Sequence, residues 1–480
     1  MTGSLVVRFA PSPTGPPHLG NLRTALVDWL VARANGGRFI VRVEDTDQER
    51  LDTSAEAAML DSLRWLGLDW DEGPDVGGPH SPYRQSERLD TYREVAERLI
   101  ERGHAYRCTC TAERLEIVQK RLRAQGQSQV YDNHCRDLAI GPSAEPHVIR
   151  LKMPTEGSVG FHDVVHDDIT FEYGKLAGDI VLMKSDGFPT YHLAVVADDH
   201  AMEVTHVIRG DEWIPSTPIH IRLFEALGWQ LPTFVHLPLV TDKHGKKIKK
   251  REPSFQVSAY REGGYLPDAV ANALVLLGWN PGTTDEVFTL HELVSQFSVE
   301  RISKSPAVFD EDRLRWFARQ HIARMGLKQL ADLLVPLIRA AYPPAVERER
   351  DWLNQLIAAV REELVALNDI VGAVRFAFDD SVATDDARAT LNSESARTVL
   401  SALRDRLAGL TSMDAERIGA LFKAIRSDFK QSHGWNAHAV MFPLRAALTG
   451  STTGPHLSDV VMLLGKDEAI RRVEKALSLL

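Results

Sequence analysis

The apolar run Leu5-Val6-Val7-Arg8-Phe9-Ala10 reads as a buried strand, and Leu22 to Ala34 carries the apolar spacing of a helix closing on Asn35-Gly36-Gly37. Further strand-like runs follow at Arg38 to Val43, His147 to Lys152, Asp179 to Met183, Val204 to Ile208 and Phe234 to Val240. They alternate with helical segments, and that alternation predicts a parallel α/β sheet. Near residue 325 the pattern changes. Strand signals vanish and amphipathic helical spacing takes over, at Leu327 to Ala341, Trp352 to Leu367 and Ala396 to Leu407. Residues 379–395, rich in Asp, Ser, Thr and Ala, read as a connection within this all-α tail. The expected fold class is α/β over residues 1–324 followed by all-α over 325–480.

Composition sets limits on this picture. A chain of 480 residues calls for two or more domains. No apolar run reaches membrane-spanning length and no leader pattern opens the chain, so a soluble, cytoplasmic protein with no membrane partner is expected. Three cysteines, an odd number, cannot form a disulfide framework and suit a reducing compartment. The net charge of −10 is awkward for a nucleic-acid binder, but it is unevenly spread. Residues 325–480 hold 19 Lys and Arg against 20 Asp and Glu, net −1, which leaves net −9 for residues 1–324. A nucleic-acid partner would have to be met by local basic stripes, such as Lys423, Arg426 and Lys430 on one helix face.

Chemistry concentrates at two places. Pro11-Ser-Pro-Thr-Gly-Pro-Pro-His-Leu-Gly-Asn21 joins the first strand to the first helix, the layout of a phosphate site, because the first helical amides lack intrahelical partners and the dipole favours an anion. His18 can donate to a phosphate oxygen there, and Gly20 permits close approach of backbone and nucleotide. Far downstream, His236-Leu-Pro-Leu-Val240 reads as a strand leading to the basic run Lys246-Lys247-Ile248-Lys249-Lys250-Arg251, a set of cations able to close over a triphosphate.

The two together resemble the HIGH and KMSKS signatures of class I aminoacyl-tRNA synthetases, here His18-Leu19-Gly20-Asn21 and Lys247-Ile248-Lys249-Lys250-Arg251. The resemblance is closest to the glutamyl-tRNA synthetases. It runs through Arg8-Phe-Ala-Pro-Ser-Pro-Thr-Gly15, Arg42-Val-Glu-Asp-Thr-Asp47, His206-Val-Ile-Arg-Gly-Asp-Glu-Trp213 and Gly264-Tyr-Leu-Pro-Asp268, and returns in Phe442-Pro-Leu-Arg-Ala-Ala-Leu-Thr-Gly450. It implies a Rossmann-type catalytic region over 1–324, interrupted by an acceptor-end insertion at about 108–190 and completed by a stem-contact region at about 252–324. An α-helical anticodon-binding region would occupy 325–480. It further implies a monomer that uses ATP with Mg²⁺, L-glutamate and glutamate tRNA. By the same resemblance ATP would be held by His18, Gly20, Asn21, Trp213, Lys247 and Lys250. His18 would meet the phosphates, Trp213 the adenine and Lys250 the departing diphosphate. Arg8, helped by Tyr191, would take the substrate's side-chain carboxylate. Arg209 would lie by its backbone end, and Glu44 with Ser12 by its ammonium.

The pattern departs from the family at two points: Lys249 stands where a small residue is usual, and Glu252-Pro253 replace a histidine and glycine. Within the insertion, Cys108-Thr-Cys110 and Cys135 offer three thiolates to a structural Zn²⁺. Asp137, His134 and Tyr131 are the fourth donors at hand, and Asp137 holds the place where the family often has histidine; three small buried thiols are the alternative. A form that also charges glutamine tRNA, and a tRNA-binding paralogue without catalysis, are the other functions compatible with the chain.

Overall fold

The computed structural model describes residues 4–126, 131–142, 147–176, 178–246, 248, 252–379 and 384–480. Its first strand, β1 (Val6–Phe9), is buried along its whole length and pairs in parallel with β2 (Arg38–Val41). The crossover between them is helix α1 (Leu19–Ala34), which starts three residues earlier than its apolar spacing indicates because His18 caps it. Helices α2 (Thr53–Trp65) and α3 (Leu89–Glu101) follow, then β3 (Ala105–Cys108) and α4 (Ala112–Ala124). After them come β4 (Val148–Leu151), β5 (Ser158–Asp163), β6 (Asp167–Glu172) and β7 (Val181–Met183). The run ends with α5 (Tyr191–Ala201), β8 (His206–Gly210), α6 (Thr217–Leu227) and β9 (Thr233–Leu237).

These strands do not all join one parallel sheet. β8 and β9 pair in parallel, and β1 lies beside β8, with the Thr205 amide donating to the Val6 carbonyl at 2.9 Å. The runs at 147–152 and 179–183 instead enter an antiparallel sheet ordered β3-β4-β7. Apolar runs do not encode strand direction, so alternation alone misassigned them. The hairpin β5-β6 was not visible as strands, since its apolar content is low. It nevertheless reaches the central strands: β5 ends on Asp163, which pairs in parallel with Phe234 of β9.

The chain divides into two compact units, residues 1–259 with 270–311, and residues 260–269 with 312–480. The second is helical around an apolar core that includes Leu334, Leu356, Leu400, Ile425 and Leu444. Helices Leu327–Ala341 and Ala396–Ala408 match their spacing. The helix expected from Trp352 to Leu367 spans Arg350–Val360 instead, and a 3₁₀ turn, Arg361–Glu363, succeeds it. There the Arg361 guanidinium donates to the Ile322 carbonyl at 2.8 Å. The expected connection at 379–395 contains a helix, Asp385–Leu391, whose start is fixed by Thr384 Oγ1 accepting from the Ala387 amide at 3.2 Å; residues 380–383 lie outside the described ones. No helix among the described residues is long and apolar enough to cross a membrane.

Candidate active site

A cavity of about 300 Å³ opens at the carboxyl ends of β1 and β8 and the amino end of α1. Its walls bring together Arg8, Ser12, His18, Gly20, Asn21, Glu44, Tyr191, Arg209 and Trp213, nine positions scattered over two hundred residues of sequence. Ile248, from within the basic run, also lines it. Lys247 and Lys250, with Lys249 and Arg251, lie outside the described residues. The Asp242 carboxylate accepts from the Lys246 amide at 2.9 Å, and beyond the run the Val257 amide donates to Pro17 O at 3.3 Å.

His18 is the N-cap of α1. Its Nδ1 accepts from the Asn21 amide at 3.3 Å while Asn21 Oδ1 accepts from the His18 amide at 3.3 Å, a reciprocal capping box. With Nδ1 accepting, the neutral ring carries its proton on Nε2, the tautomer able to donate to an anion. The ring stacks on Phe255, centroids 5.6 Å apart and planes 18° off parallel. Gly20 gives this ring its room: a Cβ there would stand 3.0 Å from His18 Nδ1.

The two arginines differ in electrostatic surroundings. Arg8 Nε donates to Asp199 Oδ1 at 2.9 Å, both side chains buried, and Arg42 Nη1 donates to that same oxygen at 2.8 Å. Burial alone would lower the Arg8 pKa, but Asp199, with Asp28 adding to it, turns the net shift upward. Glu44 accepts from Arg42 Nη2 at 3.1 Å; burial outweighs the two nearby guanidiniums and raises its pKa. Arg209 has no such counter-charge. Its partners among the described residues are His236 Nε2 at 3.1 Å, Tyr191 OH at 3.1 Å, Thr217 Oγ1 at 2.8 Å, His220 Nδ1 at 3.3 Å and the Trp213 carbonyl at 3.4 Å. Burial lowers its pKa, as for a desolvated cation with no anion in contact among the described residues. Tyr191 thus bonds Arg209, and its ring also meets the half-exposed Trp213 at a centroid distance of 4.6 Å.

Several members of this site were not found from the sequence. Asp199, the joint partner of Arg8 and Arg42, sits in the apolar helix α5 as half of Asp198-Asp199; two acids in an apolar run were the available signal. Arg23 lines the cavity and donates to Pro238 O at 2.7 Å, its pKa lowered to about 10 by burial despite Asp211 and Glu212 nearby. His236 and Asp163 meet only through the β5–β9 pairing, which no sequence pattern announced.

Comparison with known proteins bears on what this cavity is. The family described as tRNA synthetases class I (E and Q), catalytic domain, matches residues 4–316, and the family described as Anticodon binding domain matches residues 329–477. The chain belongs to the class I tRNA synthetases of the E and Q type. A glutamate–tRNA ligase of Desulforamulus reducens is 40% identical over 99% of this chain and 100% of its own length. Another, from Heliobacterium modesticaldum, is 42% identical over 98% and 97%. The crystal structure of a glutamate tRNA ligase from Elizabethkingia meningosepticum in complex with its amino acid superposes with a TM-score of 0.87 at 33% identity, covering 99% of both chains.

Away from the cavity of this synthetase, Cys108, Cys110 and Cys135 converge, their sulfur atoms all within 4.8 Å of one another. The Tyr131 hydroxyl lies 3.4 Å from Cys108 Sγ and 3.5 Å from Cys110 Sγ. Three thiols and a phenol oxygen form a donor set a tetrahedral zinc ion could use. Asp137 is not brought into this cluster. His134 and Asp137, on either side of the buried Cys135, are both exposed.

Proposed function

We infer that the chain is a glutamate–tRNA ligase. It joins L-glutamate to ATP as glutamyl-adenylate with release of diphosphate, then transfers the glutamyl group to the 3′ end of glutamate tRNA with release of AMP. One observation carries this reading beyond family membership: a single cavity joins a histidine-capped helix start, suited to phosphates, to the buried guanidiniums of Arg8 and Arg209 and the buried Glu44 carboxylate, suited to a zwitterion with a second carboxylate.

We assign the roles of individual residues from the family resemblance, supported where they are described by these surroundings. The substrate α-carboxylate attacks the α-phosphorus, and the protein's part is to align the two and neutralise developing charge. His18 Nε2–H and the amides of Gly20 and Asn21 would hold the phosphates, Trp213 would flank adenine, and Lys247 and Lys250 would accompany the diphosphate as it leaves. Glu44 and Ser12 would hold the α-ammonium, while Arg8, Tyr191 and Arg209 would divide the carboxylates. Mg²⁺ enters with the nucleotide, screening phosphate oxygens. The insertion at 108–190 would meet the acceptor end, the 252–324 region the stem, and the helical region the anticodon. If Zn²⁺ is held, Cys108, Cys110 and Cys135 would bind it, with Tyr131 as the nearest fourth donor, and it would fold the small lobe without a catalytic part. Free thiols fit work in the cytoplasm.

Diphosphate exchange dependent on glutamate and tRNA, followed by charging of purified glutamate tRNA and glutamine tRNA, tests the reading. Exchange with glutamate but not glutamine, and acylation of glutamate tRNA, are expected. No exchange under those conditions would reduce the chain to a tRNA-binding paralogue.

A further inference from the structure

All five partners of Arg209 among the described residues are neutral, and something must hold the guanidinium there without cancelling its charge. The chain of contacts behind it is fully buried. His236, on β9, has no exposed surface, and its Nδ1 lies 2.6 Å from Asp163 Oδ2. Asp163, also unexposed, accepts three backbone amides: Val165 at 3.0 Å and His166 at 2.9 Å on Oδ1, and His236 itself at 3.1 Å on Oδ2. Four donors on one carboxylate keep it ionised, and its pKa is held low even though burial pushes the other way. An ionised Asp163 fixes the His236 proton on Nδ1, so Nε2 can only accept, and what it accepts is Arg209 Nε–H at 3.1 Å. The imidazole stays neutral because burial outweighs the Asp163 contact.

We propose that Asp163 and His236 are positioning residues for glutamate binding: by fixing the imidazole tautomer they aim the Arg209 guanidinium into the cavity through a neutral acceptor, leaving its charge for a substrate carboxylate. A carboxylate in the place of His236 would hold the arginine as firmly but would quench it. Asp163 supplies the anchoring charge one side chain further back. The hairpin β5-β6 is thereby joined to glutamate binding, since the last residue of its first strand sets the proton position behind the arginine.

This inference rests on the glutamate–tRNA ligase reading, and wild-type exchange activity tests that reading separately. The decisive variant is Asp163→Asn. With its oxygen kept on the Val165 and His166 amides, its NH₂ gives up the His236 backbone amide, faces the His236 ring, drives the imidazole proton to Nε2 and sets donor against donor at Arg209 Nε. We expect the KM for glutamate in tRNA-dependent diphosphate exchange to rise at least tenfold, with the KM for ATP within twofold of wild type. His236→Gln, whose side-chain oxygen can restore an acceptor for Arg209, should keep the KM for glutamate within about threefold. Asp163→Asn with an unchanged glutamate KM overturns the proposal. So does a rise in both KM values together with a lowered melting temperature in both variants, which would mark the pair as scaffold only.

Discussion

Arg8 and Arg209 face one cavity but pose different problems for a substrate. Arg8 already has Asp199, and removing it leaves that buried carboxylate with Arg42 as its remaining close cation. Arg8→Gln should therefore destabilise the protein by about 3–5 kcal/mol, the usual cost of breaking a buried pair. If Arg8 also meets the side-chain carboxylate, the variant should erode a preference for glutamate over glutamine that we expect to be roughly a hundred- to a few-thousand-fold. Lost stability with an intact glutamate-to-glutamine ratio of kcat/KM would assign Arg8 to the scaffold. Behind it, Asp28 on α1 is fully buried with neither carboxylate oxygen bonded among the described residues, and burial raises its pKa well above the ordinary value. The sign follows. Below the unfolded-state pKa of about 4 both states are protonated and nothing is lost; as pH climbs, the unfolded chain ionises first and stability falls until the folded pKa is reached. Asp28→Asn removes this slope, at most about 1.4 kcal/mol per pH unit. Its melting temperature should gain on wild type between pH 5 and 7.5, and a pH-independent difference would mean Asp28 is ionised in the fold.

Helix α1 shows how one element serves both fold and site. His18 satisfies the Asn21 amide, so its loss should be felt twice. His18→Ala should cost about 1 kcal/mol of stability as a lost cap, whereas His18→Asn keeps a good cap and should cost a few tenths. Both should slow adenylate formation by about 10²-fold, since neither supplies the Nε2–H donor. Denaturant melts alongside exchange rates separate the two effects, and an active His18→Asn would confine the histidine to capping. This element was legible in sequence because an apolar period, a capping loop and a terminal Asn-Gly-Gly agree along one short stretch. The cavity residues Arg8, Glu44 and Arg209 were legible for a related reason: each ends or follows a strand beside a recognisable block. Asp199, His236 and Asp163 were not, because their roles arise from pairing between elements far apart in sequence, and a lone buried Asp or His has no local pattern. The hairpin β5-β6 escaped notice because its few apolar residues are outnumbered by polar ones, and its place beside β9 rests on the pair Asp163–Phe234. Helix ends fared worst: a tertiary contact, Arg361 to Ile322, accompanies the end of the helix at Val360.

At the scale of the molecule the difficulty is charge. A net −10 opposes a polyanion, and nearly all of the excess lies in residues 1–324, so the helical region with net −1 is where basic side chains can act with least opposition. Lys423, Arg426 and Lys430 occupy the helix Ala415–His433, whose opposite face buries Ile418, Leu421, Phe422, Ile425 and Phe429 in the apolar core. That burial fixes the rotation of the helix, and all three cations are exposed on its outer side. If the face tracks tRNA phosphates, each contact releases counterions and steepens the fall of affinity with salt by roughly 0.7 to 0.9 in log–log slope. Replacing the three with alanine should weaken tRNA binding and make that slope shallower by about 2 to 3, with little change in stability because none of them is buried. Tenfold weaker binding with an unaltered slope would point to a lost local contact and not to phosphates. Unaltered binding with an unaltered slope would return the stripe to solvent, and the tRNA would have to be met by other cations of the helical region.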